Sequence, residues 1–454
     1  MKQVLNYLSQ NKQRQMDELK ELLSIQSISA QTEHNKDIRY AAEWLRNHLE
    51  SIGMENAQVM ETAGHPVVYA DWLNAKDKPT ILIYGHYDVQ APDPLDEWES
   101  PPFKPTERNG NLYGRGTADD KGQLFTHIKA IEAIMAVDEE LPVNVKFLLE
   151  GEEEVGGINL YPFIKENIKL LRSDVCLISD SHSLSPTQPL IDSGLRGLTY
   201  MQIDLSTMPK DVHSGLYGGN IPNVAIELAN ILTKLKDEAT QKVLIPHFYD
   251  NVRKLTEEED TELRNSIYNE NTVLQETGVK QIIGVEGQSP AERAGAKPTL
   301  DVNGMVSGYT GEGPKTIIPA KASAKISMRL VPKQTSKEIE AKFIKYVREI
   351  TPNYVYIDVK TLSTGEPILF DRNSEYFRNA EIALEKVFGN KPMYELSGGS
   401  IPVTETFKTL LGIDSVLFGF GLPDDGLHSP NEKISIEMFY KGTETSARFF
   451  KSFE

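Results

Sequence analysis

Four short stretches of this chain place histidines and carboxylates where apolar runs stop, and a fifth places aspartates in a glycine-rich loop. Thr80-Ile81-Leu82-Ile83-Tyr84 leads into Gly85-His86-Tyr87-Asp88, and Val145 to Leu149 leads into Glu150-Gly151-Glu152-Glu153-Glu154. Val175 to Ser179 leads into Asp180, and Val416 to Phe420 is followed by Asp424, Asp425 and His428. The fifth stretch, Tyr113-Gly114-Arg115-Gly116-Thr117-Ala118-Asp119-Asp120-Lys121-Gly122, sets two aspartates where a glycine-rich loop turns into a helical pattern. Taken singly these residues are ordinary: a loop histidine is solvated, three glutamates make an acidic turn, and an aspartate before a helix caps it. Taken together they predict one pocket, because ligands gather at the carboxyl ends of strands in open α/β sheets. Several carboxylates in one pocket are costly unless a cation compensates them. A set of two histidines and three carboxylates suits Zn²⁺ or another transition metal better than Mg²⁺ or Ca²⁺. Two divalent ions ~3.5–4 Å apart polarise a carbonyl and activate water at neutral pH. A free glutamate nearby then moves the proton to the leaving group.

The elements that must position these residues are legible as patterns. Lys12 to Ser29 and Asp37 to Ile52 carry apolar residues at helical spacing, and Gln123 to Val137 reads as a helix between buried-strand runs. Strands alternating with helices predict an α/β sheet covered on both faces. Asn109-Gly110 is a hairpin turn signal. After about Gly194 the texture changes. Strand patterns at Leu198 to Ser206, Ala322 to Val331 and Tyr354 to Leu362 alternate with helical ones at Pro222 to Leu235 and Ser336 to Ile350. The stretch from Lys242 to Thr299 is long and charged and shows no clear strand. From about Glu366 the α/β texture returns, with helices at Asn373 to Val387 and Ile436 to Phe450. The expected architecture is α/β and two-domain. A discontinuous catalytic domain with a central mixed sheet (residues 1–194 and 366–454) is interrupted by an inserted α+β domain (195–365).

Bulk composition narrows the function classes. Of 454 residues, 66 are acidic and 48 basic, a net charge of −18 that disfavours nucleic acid and anionic membranes as partners. At 39% hydrophobic and 25% charged the chain is globular in composition. Its one cysteine, Cys176, lies in an apolar run and reads as a core residue. The polar N-terminal stretch and the absence of a ~20-residue apolar run lead to the expectation of a cytoplasmic protein. Phosphate-loop, His-Glu-x-x-His and Gly-x-Ser-x-Gly signatures are missing.

At these residues the chain resembles the zinc metallopeptidase family of carnosine-type dipeptidases, glutamate carboxypeptidase, aminoacylase and succinyl-diaminopimelate desuccinylase. The resemblance covers nearly the whole chain and is nearest to the dipeptidase branch. It rests on Gly85 to Val89, Tyr113 to Gly122, Glu150 to Glu154, Ile178 to Asp180, Asp211-Val212-His213-Ser214-Gly215, Arg329-Leu330-Val331-Pro332 and Asp424 to His428. The resemblance implies that His86 and Asp180 hold one metal, Glu154 and His428 the other, and that Asp119 rather than Asp120 bridges them. It implies Glu153 as the general base, with the run Glu152 to Glu154 leaving a neighbouring register open, and Asp88 as the residue that orients His86. It further implies that His213 reaches a neighbouring subunit's site to hold the oxyanion, so that the insert is both lid and dimerisation domain of a homodimer. Arg329 and Thr316 would receive the substrate's C-terminal carboxylate, and Ser400 would contact substrate. The function so implied is a di-metal hydrolase of dipeptides or short peptides, with Zn²⁺ in preference to Mn²⁺ or Co²⁺. The alternatives are an N-acyl or N-carbamoyl amino acid amidohydrolase on the same scaffold, and a non-catalytic metal-dependent binding protein.

Overall fold

The computed structural model describes residues 1–266, 268–398 and 401–454. Two compact units are formed: 1–193 with 370–394 and 402–454, and 194–369 with 395–401.

In the first unit the apolar runs become the strands Thr80–His86, Asn144–Glu150 and Val175–Ile178, buried almost throughout. Runs with no polar face belong in strands covered on both sides. Thr80–His86 pairs in parallel with the other two, and Asp414–Leu417 adds in parallel beyond Val175–Ile178. Val67–Trp72 and Leu190–Leu195 flank these four strands antiparallel, and Glu55–Met60 lies outside Val67–Trp72, so the sheet is mixed. Four neighbouring strands therefore end at one edge, and they are the strands that lead into His86, Glu150, Asp180 and the 418–428 segment.

The helix Lys121–Asp138 is buried at every residue from Lys121 to Ile134. A helix without a polar face must be covered all round, and this one packs against Ile436–Lys451 and the sheet. Its first turn runs so close to the preceding loop that a Cβ on Gly122 would fall 1.9 Å from the Thr117 carbonyl oxygen. The helix Lys12–Leu23 stops short of the helical pattern, which continues to Ser29. Ser27 is recruited instead beside the end of the central strand. Its hydroxyl donates to the Tyr87 carbonyl at 2.6 Å, and its own carbonyl accepts from the Val89 amide at 2.9 Å. Cys176 is free and fully buried. Among the described residues no helix is long and apolar enough to cross a membrane.

The second unit is built on an antiparallel four-stranded sheet in the order Thr299–Ser307, Lys321–Leu330, Gly197–Ser206, Tyr356–Gly365. Gly197–Ser206 alternates strictly between buried and half-buried residues, as a sheet with one covered face requires. Its buried residues Met201, Ile203 and Leu205 share a core with Leu228 of Val224–Thr233 and Phe343 of Ser336–Ile350. The charged stretch without strand signals holds the helices Glu257–Arg264 and Glu270–Thr277. Its acidic run forms the first turn of the former, where carboxylates favour the helix dipole. Thr256 and Glu259 close a reciprocal capping box there, a signal present in the sequence as Thr-x-x-Glu.

Because the Gly122 contact is with backbone, Gly122→Ala is expected to cost on the order of 1–3 kcal/mol. Gly365→Ala, where nothing lies within 4 Å of the added carbon, is the control and should change stability little. Urea midpoints of the two variants check this.

Candidate active site

Asp119 is the centre of the cluster. Its Oδ1 lies 2.9 Å from His86 Nε2 and its Oδ2 lies 3.0 Å from His428 Nε2. His428 Nε2 is also 3.2 Å from Glu154 Oε2, and Asp180 Oδ2 is 3.9 Å from His86 Nε2. Two groups result, His86 with Asp119 and Asp180, and Asp119 with Glu154 and His428. Within each, one potential ligand atom per residue lies within 4.8 Å of the others. Asp119 belongs to both. The neighbouring Asp120 turns its carboxylate to the backbone instead, accepting from the His86 amide at 3.2 Å. Asp424 and Asp425, open as candidates in the sequence, both accept from Lys433 at 3.0 Å.

Two of the ligand candidates, His86 and Glu154, are held from behind. His86 presents Nδ1 to Asp88, 3.1 Å from its carbonyl oxygen and 3.4 Å from Oδ1. Asp88 also accepts from the Glu153 and Glu154 amides at 3.2 and 3.1 Å, so one carboxylate fixes both the histidine and the turn that carries the glutamates. Gln90 donates to Glu154 Oε2 at 2.8 Å. Glu152 is engaged elsewhere, accepting from the His65 amide at 3.0 Å and from Asn159. That leaves Glu153 as the half-buried glutamate beside the cluster whose carboxylate has no such structural task.

The Asp119 loop is tied down by residues that carry no sequence signal. The fully buried Glu432 accepts from Arg115 Nη1 at 2.7 Å and from the amides of Gly116, Ala118 and Asp119 at 3.1, 2.9 and 3.2 Å. Gln123 accepts from the Phe420 amide at 2.6 Å and donates to the Ala118 carbonyl at 2.7 Å.

The charges of the cluster oppose one another. Burial alone would raise the Asp119 carboxyl, but hydrogen bonds from His428 and His86 hold it well below the usual range. The same contacts with Asp119 and Glu154 push His428 up to about 10. Burial, reinforced by the charges of Asp119 and Asp120, drives Asp180 well above the carboxylate range. Asp120 is pushed up to about 8 by burial and by Asp119. Burial raises Glu153 too, with Glu154, Asp119 and Asp88 adding to it. Carboxylates crowded until they resist ionising, with two imidazoles between them, form a donor set that divalent cations satisfy. A third histidine–carboxylate group, Glu18, His48 and Glu132, lacks that need. Lys129 already supplies the cation there, 2.8 Å from His48 Nε2 and paired with both glutamates, and Arg14 joins Glu132.

The other candidates from the sequence belong to the second unit. His213 and Thr316 are neighbours and both exposed: His213 pairs with Ile317, and the Ser214 amide donates to the Thr316 carbonyl at 3.1 Å. Arg329 is half-buried on Lys321–Leu330, opposite Thr299 and Leu198. Ser400 lies outside the described residues.

An α/β unit presenting carboxylates and histidines at parallel strand ends, joined to an α+β unit, defines a metal-dependent hydrolase scaffold. Residues 82–452 match Peptidase family M20/M25/M40, and the chain belongs to that family. It is 31% identical to a Cys-Gly metallodipeptidase of Candida albicans over 95% of this chain and 92% of the relative. It is 30% identical to the human Beta-Ala-His dipeptidase over 99% of this chain and 92% of the relative. Among solved structures, an M20 family metallo-carboxypeptidase from Sulfolobus solfataricus superposes with a TM-score of 0.86 at 35% identity, covering 97% of this chain and 99% of that one. The chain is a metallopeptidase of the dipeptidase branch.

Removing Glu432 would leave Arg115 buried without a counter-charge and three loop amides unpaired. Glu432→Ala is expected to destabilise the protein by about 3–5 kcal/mol. It should also loosen metal binding, read by thermal unfolding and by metal content after dialysis.

Proposed function

We propose that this chain is a two-metal exopeptidase of dipeptidase type, cleaving the amide bond of dipeptides or short peptides that carry a free C-terminal carboxylate. The observation that carries this reading is Asp119 shared between two ligand groups, with Glu153 left free beside them. His86, Asp119 and Asp180 would hold one ion, and Asp119, Glu154 and His428 the other, with Zn²⁺ the first choice for this donor set and Mn²⁺ or Co²⁺ the alternatives. When bound, the two ions supply Lewis-acid polarisation of the scissile carbonyl and acidify the attacking water.

The protein's own groups do the rest. Glu153, whose proton affinity is raised by burial and neighbouring carboxylates, takes a proton from the attacking water and delivers it to the departing amine nitrogen. Asp88 keeps His86 and the Glu153 turn in register. Arg329 receives the substrate's carboxylate, for which its planar fork is suited, and Thr316 joins it, with Ser400 as a further substrate contact. His213 stabilises the oxyanion from a partner subunit. Its Nδ1 accepts from the Gly215 amide at 2.9 Å, so in the neutral ring the proton resides on Nε2, free to donate. The edge strand Thr299–Ser307 exposes Val302, Met305 and Val306, an apolar strip that supports a homodimer formed through the second unit. The second unit would then serve as lid and dimerisation domain, and the expected location remains the cytoplasm.

Chelator-stripped protein is expected to lose dipeptide hydrolysis and to regain it with Zn²⁺, Mn²⁺ or Co²⁺. Cleavage of N-acyl amino acids alone would replace the dipeptidase reading. Glu153→Gln should retain both metals while kcat falls by about 10²–10⁴; unchanged turnover would remove Glu153 from the mechanism. Mixing inactive Glu153→Ala and His213→Ala proteins should restore part of the activity once subunits exchange. No recovery after demonstrated exchange would place His213 outside the partner's site.

A further inference from the structure

The candidate carboxylate ligands of the first unit are not equally supported. Asp119 is bonded to two imidazoles, and Glu154 accepts from Gln90. Asp180 lies 3.9 Å from His86 Nε2, and among the described residues no hydrogen bond reaches its carboxylate. The strand that leads to it, Val175–Ile178, pairs with its neighbours only as far as Ile178, which faces Tyr84 on one side and Leu417 on the other. The Phe418 amide donates to the Ile178 carbonyl at 3.2 Å, and there the ladder ends. Ser179 is the single residue between the ladder and Asp180. It is buried, and it is held through its side chain: its Oγ lies 2.9 Å from His127 Nε2.

His127 sits within the fully covered stretch of the helix Lys121–Asp138. Its other nitrogen, Nδ1, lies 2.9 Å from Ser446 Oγ on Ile436–Lys451, and its ring stands edge-on to Phe418 with centroids 6.5 Å apart. Burial pushes the imidazole down to about 3, so the ring is neutral. A neutral ring carries one N–H and one bare nitrogen, so one serine accepts and the other donates. Both nitrogens are satisfied, as a buried polar group requires. The far end of this chain is closely packed. Gly442 lies one turn before Ser446 on the same helix face. A Cβ there would fall 2.7 Å from Phe420 Cδ2 and 2.9 Å from Thr126 Cγ2. Ser446, His127 and Ser179 therefore join the C-terminal helix to the strand end through the central helix, and the chain stops at the residue covalently bonded to Asp180. An aliphatic side chain would fill the same space with no polar group to satisfy. What the imidazole adds is direction, because a hydrogen bond fixes where Ser179 lies and packing alone does not.

We propose that His127 is a positioning residue for the ion-binding group of His86, Asp119 and Asp180: its Nε2 bond to Ser179 fixes the backbone from which Asp180 projects, and its Nδ1 bond to Ser446 holds the ring. The inference rests on the two-metal reading and adds to it a residue that touches neither ion nor substrate. Partners behind metal ligands are worth about 10–100-fold in metal affinity. A residue acting through the main chain of its neighbour belongs at the low end of that range.

The test is a Zn²⁺ titration of the chelator-stripped full-length protein against a competing chromophoric chelator, which reads the two affinities without reference to turnover. His127→Gln sets a carboxamide where Nε2 lies and keeps the bond to Ser179. His127→Asn sets one where Nδ1 lies and keeps only the bond to Ser446. In His127→Asn one of the two ions is expected to loosen by about tenfold while the other is unchanged, and in His127→Gln both should stay near wild type. Ser179→Ala should repeat the selective loss, and it replaces His127→Asn should that variant fail to fold. Ser446→Ala deletes the same group from the other end of the chain and should lower the thermal midpoint without loosening either ion. Equal loosening of both ions, or of neither, in His127→Asn and Ser179→Ala overturns the assignment and leaves the two-metal reading standing. Equal affinities in His127→Asn and His127→Gln overturn it as well. A wild-type protein that binds fewer than two Zn²⁺ ions removes the two-metal reading and the inference with it.

Discussion

The crowding of negative charge around Asp119 is the constraint on which the first unit depends. A carboxylate with its two oxygens 2.9 and 3.0 Å from two imidazoles is stable at this buried position because a hydrogen-bonding partner faces it on both sides. The remaining acids, Asp120, Asp180 and Glu153, are driven toward protonation by the same burial. A cation reverses that preference and lets the site keep its full complement of charged ligands, which is why the arrangement reads as a metal site and the Lys129-filled group does not.

Holding such a cluster open requires rigid supports, and the fold supplies them with very few residues. Asp88 spans His86 and the glutamate turn; Glu432 spans Arg115 and three amides of the Asp119 loop. Both are buried carboxylates fully used as acceptors, so each stiffens the site without competing for its cations. The parallel strands beneath fix where the supports begin, because they are buried on both faces and a slip would repack both.

Much of this was legible before the structure. Apolar runs ending in His86, Asp180 and the glutamates show where strands stop, since a buried strand tolerates such residues only at its end. Alternation in Leu198 to Ser206 shows a sheet with one wet face. The choice of Asp119 over Asp120 was not legible from chemistry, as both are acids at the same turn, and only the resemblance favoured one. Glu432 and Gln123 were invisible because their work is to accept amide protons from loops far away in sequence, and no periodicity records that. The end of the helix at Leu23 has no local signal for a related reason: Ser27 bonds to Tyr87, and that tertiary contact overrides the local pattern.

The span between Asp119 and its partners bears on how the enzyme is made. His428 and Glu432 lie 309 and 313 residues downstream of the aspartate they contact. Until these residues leave the ribosome the Asp119 loop lacks its anchor and the second ligand group its histidine. At ~5–20 residues per second, a growing chain spends on the order of tens of seconds between the emergence of Asp119 and that of the residues that contact it. The catalytic edge is completed only once residues 428–432 have emerged.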